Sequence, residues 1–196
     1  MNRLLLASVL LLLALMPVGA AAAQEAEPSF CVSAWYRESE QPGAYDSLMA
    51  HAGVIDIVHP MWYGPRDNGA VAAVDGAENP VKLAAWREAG LQIIPTIFST
   101  LSIAIDAPDV RAVHVAAIVA LVERMDYDGI DIDYEEFSAH TLEPFTDFIE
   151  TLGAALHANG RQLSVTVMAK TDDAGWGGPT LAQDWRRLAA AADRFN

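Results

Sequence analysis

Asp128-Gly129-Ile130-Asp131-Ile132-Asp133-Tyr134-Glu135-Glu136 sets three acids at every second position of a run that otherwise reads as a buried strand. Side chains on a strand alternate faces, so Asp131, Asp133 and Glu135 share one side while Ile130, Ile132 and Tyr134 share the other. Alternate residues lie only about 6.5 to 7 Å apart at Cα. Their charges oppose one another in a partly desolvated site, and at least one of the acids is expected to hold its proton near neutral pH. Buried charge is costly unless paired, so a chain that stacks three carboxylates in a row points to an active-site strand that supplies a general acid.

Outward from this run, apolar stretches of strand length alternate with longer helical segments, the pattern of a parallel α/β protein. Strands are expected over residues 30–36, 54–61, 91–99 and 163–170, and helices over 43–52, 80–90, 108–125, 141–159 and 181–192. Asn79-Pro80 opens its helix as N-cap and first helical residue, and Gly90 closes it. Pro95 is an awkward guest in the third strand, because it has no N–H for the ladder. Residues 66–78 carry the turn signals Asn68-Gly69 and Asp75-Gly76 and read as a surface loop or a short hairpin. In the strand over 163–170, Ser164, Thr166, Met168 and Lys170 face one way. After residue 192 the alternation calls for a further strand. Five strand-helix units fit an open doubly wound sheet or part of a (β/α)8 barrel. The first strand is followed by no Gly-rich phosphate-binding fingerprint, which weakens a dinucleotide-binding reading. In a barrel, chemistry sits at the C-terminal strand ends, where the acids fall together with Trp35, Tyr36, Trp62, Tyr63, Lys170 and Trp176.

The 196 residues carry a formal net charge of -14. Nucleic acid is not an expected partner, since binding it relies on Lys and Arg neutralising phosphates. At the N-terminus, Arg3, an apolar run from Leu4 to Met16 and small residues from Gly19 to Ala23 read as a secretory signal peptide over residues 1–23. The run is shorter than the roughly 20 residues a membrane span needs, so stable membrane insertion after cleavage is not expected; an uncleaved anchor is the alternative. A secreted, periplasmic or cell-envelope location follows. Residues 24–29 read as a polar linker and 30–196 as one domain. Cys31, the single cysteine, has no intrachain partner and is expected to be a small buried hydrophobe. His59, sharing a face with Ile55 and Ile57, and His114, within a helix, read as structural.

Asp128 to Glu135 matches the DGxDxDxE signature of family 18 glycoside hydrolases, the chitinase-like (β/α)8 barrel enzymes. The likeness extends to residues 30–36, similar to that family's first strand, and to Pro60-Met61-Trp62-Tyr63, similar to its second strand end. Residues 164–171 resemble the fifth strand of its spore-germination and cortex-lytic branch. The resemblance implies a retaining, substrate-assisted glycosidase acting on β-linked N-acetylglucosamine in chitin, peptidoglycan or a related glycan. Glu135 is similar in position to the general acid/base, Asp133 to the residue that holds the substrate acetamido N–H, and Asp131 to its inner partner. The sugar's own acetamido oxygen would then be the nucleophile. Asp128 is expected to be structural, and Glu136 to lie on the opposite side from Glu135. Trp62, Tyr63 and Tyr36 are candidates for stacking against sugar rings, with Met168, Lys170 and Trp176 further candidates for contacting substrate. No cofactor is implied.

The family carries a Met-x-Tyr-Asp type segment on its sixth strand, and a complete barrel of this kind needs about 250 residues. The expectation is therefore an incomplete barrel, truncated after the fifth unit, whose own activity is in doubt. Two other readings of the same residues stand beside this one. The first is a non-catalytic glycan-binding protein; the second is a metal-dependent hydrolase that uses Asp131, Asp133 and Glu135 as hard oxygen ligands. Against the second, no glycine falls at position six of a calcium loop begun at Asp126 or Asp128, and no His-rich set suited to zinc accompanies the acids.

Overall fold

The computed structural model describes residues 30–37, 43–100, 105–135, 137–172 and 175–196. The expected signal peptide (1–23), the linker (24–29) and Glu136 lie outside the described residues. Within the unit Cys31–Asn196 the order is β1 (Ser33–Tyr36), α1 (Ala44–Ala50), β2 (Ile57–Pro65), β3 (Val71–Ala73), α2 (Pro80–Glu88), β4 (Gln92–Ile93) and β5 (Thr96–Ser99). There follow α3 (Pro108–Met125), β6 (Gly129–Tyr134), α4 (Leu142–Ala158), β7 (Gln162–Val165), α5 (Trp185–Ala191) and β8 (Arg194–Phe195). The strands form one sheet with the path β1-β2-β5-β6-β7-β8, from which β3 and β4 branch onto β2. Every neighbour on the path is parallel, as helical crossovers require. Among the described strands only β3 runs antiparallel, which makes residues 66–78 a short hairpin.

The sheet curls. Six strands laid flat would hold the first and last about 24 Å apart, yet Arg194 on β8 donates from Nη1 to Cys31 Sγ, just before β1, at 3.2 Å. This is a partial (β/α) barrel with one concave and one helix-covered face. Pro95 divides the expected third strand into β4 and β5. The missing N–H breaks the ladder there, but the Pro95 carbonyl still accepts from Asp131 N at 2.8 Å. At the other end of the chain the demanded extra strand is β8, paired in parallel with β7.

Three aspartates repeat one device at strand entrances. Asp56, Asp128 and Asp193 each stand immediately before a strand. Their Oδ2 atoms accept from the backbone N–H of Val32 (2.7 Å), Ile93 (2.7 Å) and Leu163 (2.8 Å) respectively. The backbone N–H of each aspartate returns a bond to the carbonyl of that same residue. Each carboxylate thus closes the ladder where the neighbouring strand begins, in a charge-assisted hydrogen bond. Asp128, first acid of the signature, has this structural role.

On the helix-covered face the core is continuous, with Val58, Trp62, Ile97, Ile130, Ile132, Leu163 and Val165 of the strands against Trp86, Ile118, Val122, Phe148, Ile149 and Leu152 of the helices. Helix α2 begins as its sequence predicts, with Asn79 accepting from Val81 N and Lys82 N behind Pro80. Helix α4 buries Phe145, Phe148, Ile149, Leu152 and Leu156 at helical spacing. Its Gly153 lets α5 approach closely, since a Cβ there would stand 2.4 Å from the Ala191 carbonyl oxygen. The hydroxyl of Tyr134, on the back of β6, meets His114 Nε2 at 2.7 Å, and His114 Nδ1 lies 2.8 Å from the Gly69 carbonyl. His114 therefore joins α3, the acidic strand and the β2-β3 hairpin. Among the described residues no helix is long and apolar enough to cross a membrane.

Candidate active site

Register decides which side chains meet. Thr96 pairs with Asp131 and Phe98 with Asp133, Asp131 pairs with Ser164, and Ser164 with Arg194. On the other side Met61 pairs with Thr96 and Trp35 with His59. Paired residues share a face, so the concave surface gathers Trp35, His59, Met61, Thr96, Phe98, Asp131, Asp133, Ser164 and Arg194.

The acids pass from buried to open along β6. Asp131 is fully buried, with Oδ2 accepting from Thr96 Oγ1 at 2.9 Å and Oδ1 from Asn196 Nδ2 at 3.0 Å. The same Asn196 Nδ2 donates to Ser164 Oγ at 2.7 Å. Both carboxylate oxygens of Asp131 therefore have donors. Asp133 is 6% exposed and its Oδ1 has no hydrogen-bond partner. Burial, then the Asp131 charge, then that of Glu135 push its carboxyl up to about 7. This is the proton-holding acid that the spacing anticipates. Glu135 lies just past the strand end, partly exposed, with its backbone N–H fixed on the Ser99 carbonyl at 3.0 Å.

His59 belongs to this surface, which its sequence neighbours did not reveal. Its Nδ1 lies 2.9 Å from the Ile94 carbonyl; a carbonyl only accepts, so Nδ1 carries the hydrogen and Nε2 presents a lone pair. That Nε2 is buried without a partner. Burial holds the imidazole below its usual range, while the Asp131 charge works the other way. Trp35, half exposed, tilts over the ring at 6.1 Å. Only the pairing of β2 with β5 and of β5 with β6 could bring His59 to the face of the acids, and pairing is not written in local sequence.

Three aromatic candidates sit elsewhere. Tyr36 packs edge-on against Trp86 at 5.2 Å, and its hydroxyl accepts from Lys82 Nζ at 2.8 Å. Trp62 stacks on Trp86 at 5.4 Å and has no exposed surface. Tyr63 is buried, with its hydroxyl on Glu78 Oε1 (3.0 Å) and Tyr127 OH (2.9 Å). The cause for Trp62 and Tyr63 is a register irregularity between Met61 and Tyr63, which lets two consecutive side chains face the helices. A regular strand would have sent one to each side. Packing thus leaves Trp62 no ring face for a sugar, and of the first-strand aromatics Trp35, not Tyr36, shares the acid face. Cys31 is exposed rather than buried, because it stands before β1 begins at Ser33; there its Sγ meets Arg194.

Beyond β7, Gln183 organises the remaining candidates. Its Oε1 accepts from Met168 N at 2.7 Å, and its carbonyl accepts from Lys170 Nζ. Lys170 also lies over the Trp185 ring at 5.2 Å. Trp176 is 74% exposed in the loop that leads to α5. A cavity of about 440 Å³ opens beside Phe98, lined also by Arg37, Met61, Tyr63, Gly64, Val74 and Asp75. Among the described residues no three His, Cys, Asp or Glu side chains converge closely enough to hold a metal ion.

No protein-family model matches the chain. A Bacillus subtilis protein named as a sporulation-specific glycosylase, YdhD, is 39% identical over 66 residues, which are 34% of this chain and 16% of that protein. The chitinase of Chromobacterium violaceum superposes with a TM-score of 0.73 at 25% identity, covering 85% of this chain and 55% of that one. The spore cortex-lytic enzyme SleL of Bacillus megaterium superposes with a TM-score of 0.74 over 84% of this chain and 41% of its own; at 15% identity this likeness is one of fold. The chain thus spans about half the length of the chitinase it resembles. In its parallel half-barrel the chain thus resembles the chitinase-like family 18 glycoside hydrolases, with likeness to both the chitinases and the spore cortex-lytic enzymes among them.

Proposed function

We propose that this chain carries the acid-bearing part of a glycoside hydrolase that cleaves β-linked N-acetylglucosamine polymers by a retaining, substrate-assisted mechanism. The observation that carries the reading is the gradation along β6, from a buried, donor-bonded Asp131 through a proton-holding Asp133 to Glu135 at the open end. Glu135, nearest the mouth, protonates the glycosidic oxygen of the leaving sugar and afterwards draws a proton from water. Asp133 receives the acetamido N–H, so that the acetamido oxygen is turned toward the anomeric carbon. Asp131 stays below as the anchored charge that keeps a proton on Asp133. No carboxylate of the chain need form a covalent bond. The basic and apolar N-terminal stretch supports export to the envelope or beyond, where such polymers lie.

The test is hydrolysis of N-acetylglucosamine oligomers by the full chain and by Glu135→Gln. Turnover is expected to fall by about 10² to 10⁴, the usual worth of a general acid, while oligomer binding persists. Binding without turnover in both proteins would favour the glycan-binding reading, and turnover abolished by a chelator would favour a metal mechanism.

A further inference from the structure

Among the described residues, the buried side-chain polar atoms without a hydrogen-bond partner fall into two sets. One consists of the indole nitrogens of Trp62, Trp86 and Trp185; the other is His59 Nε2, Asp133 Oδ1 and Thr166 Oγ1. The second set lies wholly on the concave face. Buried polar groups are nearly always paired, so orphans gathered on one surface mark where a ligand's polar atoms would go.

Two of them are neighbours. Thr166 N donates to the Ile132 carbonyl at 2.9 Å, which continues the β6-β7 ladder one residue past the Ile132-Val165 pair. Thr166 therefore stands beside Asp133, with the backbones about 4.8 Å apart. Alternation gives it the face of Ser164, whose hydroxyl is tied through Asn196 to Asp131. A threonine hydroxyl next to a carboxylate would ordinarily bond to it, yet neither atom has a partner. They leave between them a donor and an acceptor unspent.

We infer that Thr166 is a substrate-positioning residue. Its hydroxyl and Asp133 Oδ1 together grip the 2-acylamino group of the sugar, which offers its N–H to that Oδ1 and its carbonyl to the hydroxyl. This deepens the proposed function and rests on it. In the sequence Thr166 is only one of four residues on one side of a strand.

The experiment compares the wild-type full chain with Thr166→Val, which keeps the shape and removes the hydroxyl, and with Thr166→Ser, which restores it. Calorimetric titration with tri-N-acetylchitotriose is expected to give a roughly tenfold weaker Kd for Val, the worth of one hydrogen bond to a buried group, and a near-wild-type Kd for Ser. The glucosamine trimer, which lacks the acyl carbonyl, is expected to bind wild type and Thr166→Val alike. Without ligand, Thr166→Val is expected to melt at or above the wild-type temperature, because it deletes a hydroxyl that has nothing to bond. Equal affinity of wild type and Thr166→Val for the acetylated trimer would overturn the inference and leave the glycosidase reading standing. A lower melting temperature for Val would also overturn it, by showing that the hydroxyl already has a partner in the free chain. Failure of the wild type to bind the acetylated trimer would instead strike the functional reading itself, and the inference with it.

Discussion

Asn196 Nδ2 donates at 3.0 Å to Asp131 Oδ1, so the middle of the acidic strand is held by a residue 65 positions further along. The same amide nitrogen reaches Ser164 Oγ at 2.7 Å, and the Asn196 backbone extends β8 by bonding to Val165 and Val167. Asn196→Leu leaves a buried carboxylate oxygen and a buried hydroxyl without that donor. A loss of about 1–3 kcal/mol in unfolding free energy is expected, read from urea denaturation at pH 7. A change within experimental error would show that the contact is idle.

Asp133 links the site to pH. Its carboxyl is raised from 3.8 to about 7 in the folded chain, so between those values the native state holds a proton that the unfolded state has lost. The stabilising contribution is complete below the lower value and disappears as pH rises through the upper one. Asp133→Asn, which cannot ionise, is expected to gain on wild type by on the order of 2 kcal/mol between pH 5 and pH 8.5. Denaturant midpoints at the two pH values decide it; a gap that does not widen with pH defeats the assignment.

His114 acts in the opposite direction. Burial depresses its imidazole below 6.5 while the Gly69 carbonyl opposes this, so its contribution is present above 6.5 and drains away as pH falls through the depressed value. His114→Phe preserves the stack on Phe148, now at 5.3 Å, but strands the Tyr134 hydroxyl. It is expected to cost about 1–3 kcal/mol at pH 7.5, and that deficit should shrink toward pH 5. A deficit independent of pH would mean that the ring is not buried neutral.

The entry aspartates give a graded test of the strand ladder. Asp56→Ala, Asp128→Ala and Asp193→Ala each remove one charge-assisted bond to a strand-opening N–H. Each is expected to lose about 1.5–3 kcal/mol, the smallest loss falling on Asp56, whose Val32 partner is exposed while Ile93 and Leu163 are buried. Amide exchange of Val32, Ile93 and Leu163 in the matching variants shows whether the lost bond is the cause.

Gly129, the glycine of the signature, is required by crowding and not by its backbone angles. A Cβ there would lie 2.2 Å from the Gln162 carbonyl oxygen, whereas one on Gly53 would meet nothing within 4 Å. Gly129→Ala is expected to destabilise by about 3 kcal/mol or more, since the β6-β7 backbones must part. Gly53→Ala should be neutral or slightly stabilising. Equal thermal shifts for the pair would refute the close approach.

What the sequence by itself determined is local and periodic. Alternation put Asp131, Asp133 and Glu135 on one face, because a strand has a period of two. Asn79-Pro80 opened α2, because cap chemistry acts within a few residues, and the place of Asp128 at the strand entrance marks it as structural. Tertiary structure alone decided what needs pairing between distant strands. It shifted β2 by a register irregularity that turned Trp62 and Tyr63 to the helices, and it brought His59 to the face of the acids across β5. It also joined Asn196 to Asp131 and divided one strand at Pro95. Local preference says which way a residue points relative to its neighbours in the chain; only the register of the assembled sheet says what it points at.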